Sequence, residues 1–159
     1  AMARVCLEAE KEYLVRHDTR MANTSPGTIE EAIARATMFT ASGLQIRAIA
    51  ALTQSGVTAL LMSRRSSKVP IFALSPNEET RRRVTLFRGV YPVEFGEGLN
   101  DPEIILNLAE EELLQRGVVR NGDIMVMTIG EPVGKSGGTN TMKIIKVGEW
   151  KLRQGMDVT

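Results

Sequence analysis

At 159 residues, 43% hydrophobic and 25% charged, the chain has the size and composition of one globular domain able to bury its own core, which excludes a disordered or fibrous protein. Twenty lysines and arginines against 19 aspartates and glutamates leave a net charge of +1, a balance that gives no support to nucleic acid or an anionic membrane as partner. The single cysteine, Cys6, excludes an internal disulfide and a thiolate metal cluster within one chain and fits a reducing cytoplasm, and no apolar run reaches the roughly 18 to 20 residues of a membrane span.

The N-terminus lacks the basic-then-apolar pattern of a secretory signal, so a cytoplasmic location is expected and the sequon Asn23-Thr24-Ser25 is read as chance. "MARVCLEAEKEYL" places Val5, Cys6, Ala9 and Tyr13 along one stripe at helical spacing, an amphipathic helix. A polar stretch containing His17 follows, with no second histidine or cysteine at ligand spacing, and is read as a linker. Thr28 and Glu31 form a capping box that opens a second helix, whose inward face is expected to carry Ile29, Ala32, Ile33, Ala36, Thr40 and Leu44.

"IRAIAALT" is short, apolar and bounded, as a buried strand should be, and helix is predicted from Ala59 to about Ser67. "PIFALS" is a second strand, Asn77 an N-cap, and "EETRRRVTLFRG" a helix closed by Gly89. The three arginines Arg81, Arg82 and Arg83 read as a solvated face, with an ion pair between subunits as the sharper alternative. "VYPVEF" is the third strand, and Asp101-Pro102-Glu103 opens a helix ending near Gly117. "DIMVMTIG" and "TMKIIKVGEW" are strands with no room for a helix between them, which favours an antiparallel or edge placement of the last. The expected fold is a three-layer α/β/α domain with a five-stranded, mostly parallel sheet, preceded by an extra helix.

In open α/β sheets ligands collect at the carboxyl ends of strands, where helix starts present free N–H groups. The turn Thr53, Gln54, Ser55, Gly56, Val57, Thr58 lies at such an end. There Gly56 permits close approach and Thr53, Ser55 and Thr58 offer hydroxyls to a phosphate; simple capping of the helix is the competing reading. "GEPVGKSGGTNT", residues 130–141, is no Walker loop, because three residues separate Gly130 from Gly134 where that motif needs four, and a strand follows instead of a helix. A glycine-rich lip carrying Lys135 could close over an anion at the first turn; a plain hairpin turn is the alternative. The eight methionines are scattered, as core filling requires, and no catalytic set of acid, base and nucleophile is visible.

"MARVCLEAEKEY" resembles the final helix of the catalytic barrel of pyruvate kinases. "TIEEAIARATMFTA", "TQSGVTALLMSRRSSKVPIFALSPNEETRRRVTLFRGVYPV", Asn121-Gly122-Asp123 and "SGGTNTMKI" look like the C-terminal regulatory domain of the same enzymes, in order. The resemblance implies boundaries of 1–14 for a leftover barrel helix, 15–27 for a linker, 28–148 for the regulatory domain and 149–159 for a tail. It implies an effector phosphate at Thr53, Gln54, Ser55, Gly56 and Thr58, and a loop of Lys135, Ser136, Gly137 and Thr139 closing over the ligand. Where the family usually has arginine or lysine this chain has Val57, so one charge contact is missing. "SRRSSKVPIFALS" looks most like the bacterial branch activated by AMP and sugar monophosphates.

The resemblance further implies that the barrel residues binding phosphoenolpyruvate, ADP, magnesium and potassium precede Met2, so that this chain has no catalytic residues, holds no cofactor or metal and does not catalyse. Its implied partners are a phosphorylated activator, the catalytic barrel and further copies of itself, within a glycolytic enzyme that transfers phosphoryl from phosphoenolpyruvate to ADP. The first helix, without its native neighbours, is expected to pack against this domain or a neighbouring chain. A stand-alone small phosphotransferase and a purely structural oligomerisation module are the alternatives.

Overall fold

Four apolar segments separated by short helices pair in parallel or cross over as their lengths dictate, and a fifth turns back. The protein is seen in a computed structural model that describes residues 2–9, 11, 25–65 and 67–149. Residues 2–9 form α1; then follow α2 (Ile29–Gly43), β1 (Ile46–Leu52), α3 (Val57–Ser63), β2 (Ile71–Ser75), α4 (Glu78–Val84), β3 (Val90–Glu94), α5 (Pro102–Gln115), β4 (Ile124–Gly130) and β5 (Thr139–Lys146). The sheet order is β3-β2-β1-β4-β5. β1 pairs in parallel with β2 (Ile49 with Ile71) and with β4 (Ala50 with Met127), while β5 runs antiparallel to β4 (Val126 with Ile144). Residues 131–138 are too few for a crossover helix, so the chain can only double back.

Apart from an irregularity between Ile46 and Ala48, the strands alternate between two cores. Ile49, Ala51, Ala73 and Val126 face α2, α3 and α4 with Met38, Met62 and Val84, whereas Ala48, Ala50, Leu74 and Met127 face α5 with Ile105, Ala109 and Leu113. Ala48, Ile49, Ala50 and Ala51 are wholly buried, as a central strand covered on both faces requires. The alanines let the two helical layers come close.

Local signals set the helix ends. Thr28 accepts from the Glu31 amide at 3.1 Å, Asn77 from Glu79 and Thr80, and Asp101 from Glu103 and Ile104, with Pro102 in the first turn of α5. The return bond of the capping box goes to Gly27, whose N–H donates to Glu31 Oε2 at 3.0 Å, and not to Thr28. Three helices end earlier or present other faces than expected. α3 stops at Ser63 and α4 at Val84, short of Ser67 and Gly89. The buried face of α2 is Ala34, Thr37, Met38 and Ala41, not the set beginning with Ile29, which is 70% exposed. Small side chains define that face because α2 packs tightly on α3 and β5, so the branched aliphatics misidentified the buried stripe.

The side chains of residues 2–9 are exposed, Val5, Cys6 and Ala9 among them, so of the two packings expected for the first helix these residues do not make the one against the sheet domain. Tyr13, His17, Asn23 and Thr24 of the sequon, and Trp150 lie outside the described residues. Arg82 and Arg83 are solvated, paired with Glu78 and Glu79 one turn away. Arg81 departs from the expected solvated face: it turns inward and donates to the carbonyls of Ser75 and Pro76 at 3.0 and 2.7 Å, fastening the end of β2 to α4.

Glu31 joins α2 to α3. Its carboxylate takes the Gly27 amide and pairs with Arg35, while Arg65, beyond the end of α3, approaches to 4.0 Å. The Gly27 N–H and then the Arg35 guanidinium hold the Glu31 carboxyl below the usual carboxylate range, and burial lowers Arg65 from the ordinary arginine value. A depressed carboxylate contributes stability above its unfolded value, about 4.3, and loses it as pH falls through the folded value. In melting curves across pH 2 to 7, Glu31→Gln is therefore expected to be less stable than the parent at pH 7, the gap closing below about pH 4. A gap unchanged down to pH 2 would refute this role.

Candidate functional site

The reversal of strand order lies between β1 and β4, and the carboxyl ends of β1 to β4 converge there on one pocket. Thr53 and Gln54 after β1, Pro76 after β2, Phe95, Gly96 and Leu99 after β3, and Gly130 to Thr139 between β4 and β5 line it, with Glu30 of α2 at its edge. The floor is apolar, built by Leu52, Leu74, Ile105, Ile129 and Val133. The cavity holds about 50 Å³.

The first turn is more fully committed to the fold than its residue types indicate. The Thr53 amide donates to Leu74 O at 3.0 Å, and the Thr53 hydroxyl accepts from the Gly56 amide at 2.9 Å. Ser55 Oγ lies 3.4 Å from the Val57 amide, a long bond. Among the described residues the amides of Gln54, Ser55 and Thr58 carry no partner, and of these Gln54 lines the pocket. Thr58 is wholly buried, its hydroxyl donating to Glu30 Oε1 and meeting Thr139 Oγ1, each at 2.7 Å. It ties α2, α3 and β5 together and is not a free donor.

Gly56 meets a demand of the fold itself. It adopts φ of 79°, and a Cβ there would lie 2.9 Å from Val84 Cγ1 and 3.4 Å from Thr80 Cγ2. Glycine is required so that the turn can adopt a left-handed conformation directly beneath α4. Thr80 completes that contact by donating its hydroxyl to the carbonyl of Gln54 at 2.6 Å.

Across the pocket, Lys135, Gly137 and Thr139 of the second predicted loop face Thr53 and Gln54. Ser55, Gly56, Thr58 and Ser136 do not line the cavity, nor does Val57, which is 39% exposed at the start of α3. Glu30, Phe95 and Leu99 were absent from the expected set. The strand-end rule, applied after β3 as it was after β1, points to Phe95 and Leu99; no local signal identifies Glu30, which packing alone brings to the pocket.

The profile of the family described as "Pyruvate kinase, alpha/beta domain" matches residues 31–145. The chain belongs to the pyruvate kinase alpha/beta domain family. It is 41% identical over 147 residues to the pyruvate kinase of Buchnera aphidicola subsp. Acyrthosiphon pisum, covering 92% of this chain and 30% of that one. Against "Pyruvate kinase II" of Salmonella typhimurium the identity is 39% over 148 residues, covering 92% and 31%. The Staphylococcus aureus pyruvate kinase is 37% identical over 147 residues, covering 91% and 24%. The chain thus spans less than a third of the length of these pyruvate kinases. Among the described residues, no group of three or more histidines, cysteines or acids is placed to hold a metal, and no helix is long and apolar enough to cross a membrane.

Proposed function

We propose that this domain binds a phosphorylated activator, AMP or a sugar monophosphate, as the regulatory and oligomerisation part of a cytoplasmic pyruvate kinase, and that it does not itself transfer phosphoryl groups. Two loops more than 70 residues apart in sequence face each other across a single pocket at the switch point, and that convergence carries the reading. The unpartnered amide of Gln54, in the pocket wall, offers a hydrogen bond to an oxyanion, and Lys135 supplies the charge that Val57 does not.

A water takes roughly 10 to 15 Å³ of such space, so the cavity of about 50 Å³ fits a phosphate group, and the rest of the ligand requires residues 131–138 to move outward. Gly134 and Gly137, with φ of 93° and 68°, leave that segment few side chains to hold it. β5 is an open sheet edge with Ile144 46% exposed, which supports a contact between copies there. Magnesium, potassium, phosphoenolpyruvate and ADP belong in this reading to a catalytic barrel, and regulation needs that second site.

Calorimetry with AMP, ribose 5-phosphate and glucose 6-phosphate tests the reading; absence of heat up to millimolar concentrations of all three would refute it. Lys135→Ala, in an exposed loop, is expected to weaken whichever ligand binds by about tenfold, as loss of one charge-assisted bond predicts. It should leave the melting temperature unchanged.

A further inference from the structure

The pocket that this reading assigns to a phosphorylated ligand also contains a carboxylate, and the surrounding bonds hold it in place. The Thr58 hydroxyl has one proton, and it is given to Glu30 Oε1 at 2.7 Å. In the 2.7 Å contact between Thr58 and Thr139, Thr139 must therefore be the donor. The chain runs Thr139 to Thr58 to Glu30, with both hydroxyls in residues no more than 6% exposed. It fixes Oε1 from below and from two other elements, α3 and β5. The second oxygen, Oε2, has no partner among the described residues and lies beside the opposite lip, 3.7 Å from where a Cβ on Gly137 would be. Glu30 and Lys135 therefore give the pocket one negative charge held by hydrogen bonds and one positive charge on the opposite lip.

We propose that Glu30 is a specificity-determining residue of this pocket, accepting the hydroxyls of a ligand whose single phosphate sits by Lys135 and rejecting a ligand that brings a second phosphate. A carboxylate accepts hydrogen bonds and donates none, so a polyol satisfies Oε2 while a second phosphate meets like charge in a partly desolvated site. The apolar floor offers no donor to offset that repulsion. Specificity then arises from one repulsive group placed against the wrong ligand.

Fructose 6-phosphate and fructose 1,6-bisphosphate differ only in that second phosphate, and calorimetry of the 159-residue chain and of Glu30→Gln with both sugars provides the test. Glutamine keeps an acceptor for Thr58 and removes the charge. The parent is expected to bind the monophosphate at least tenfold more tightly. In Glu30→Gln the bisphosphate should gain at least tenfold while the monophosphate changes less than about threefold. A parent that binds the bisphosphate equally well or better overturns the proposal without need of any variant, as does a ratio unmoved by Glu30→Gln. Binding of neither sugar to either protein overturns the role given to Glu30, and only when AMP, ribose 5-phosphate and glucose 6-phosphate also give no heat does the phosphate-pocket reading itself fall, so the two failures are distinguished.

Discussion

Replacing Gly56 with alanine is expected to lower unfolding stability by about 3 kcal/mol, combining left-handed strain of roughly 1 to 2 kcal/mol with overpacking of roughly 1 to 3. The added Cβ would sit 2.9 Å from Val84 Cγ1, and Val84 is wholly buried, so the neighbour has no space to yield. Phe87 and Thr80 close the remaining directions. Urea denaturation should show a lower midpoint with an unchanged slope, the signature of a stability change in an otherwise similar fold. A loss under about 1 kcal/mol would mean that α4 is not pressed on this turn and that the glycine is present for another reason.

The second large effect is expected at Gly130, the last residue of β4. A Cβ there would lie 2.6 Å from the Gly138 carbonyl oxygen and 3.2 Å from the Thr139 amide, all backbone atoms that cannot rotate aside. The approach arises where the β4–β5 register shifts between Ile129 and Gly130, bringing the two ends of the 131–138 segment together. Gly130→Ala should therefore cost about 2 kcal/mol and push the Lys135 lip away from Thr53 and Gln54. Calorimetry is expected to show at least tenfold weaker binding of a phosphorylated ligand, well beyond what the stability loss explains in a protein still folded. Unchanged affinity would separate the lip from the site.

These two glycines illustrate how differently the same residue type can be read. Gly56 stood out in the sequence between a strand and a helix as a glycine permitting close approach. The reason it is required was not legible, because Val84 and Thr80 lie some 25 residues on and reach the turn only when α4 docks. Gly130 was visible as part of a glycine-rich loop, yet its clash with Gly138 depends on a register shift that no spacing announces.

Where elements begin is a local matter, and there residue patterns sufficed. Thr28, Asn77 and Asp101 cap the helices they precede, the four runs of apolar residues became parallel strands, and the short connection to β5 forced its reversal. These features depend on side chains bonding amides two or three residues away, or on how far a few residues can reach. Which face of α2 is buried, how Thr58 is engaged, and that Glu30 shares a pocket with Lys135 depend on packing between segments as much as 100 residues apart. Close packing rewards shape across layers, and shape is created only when the layers meet.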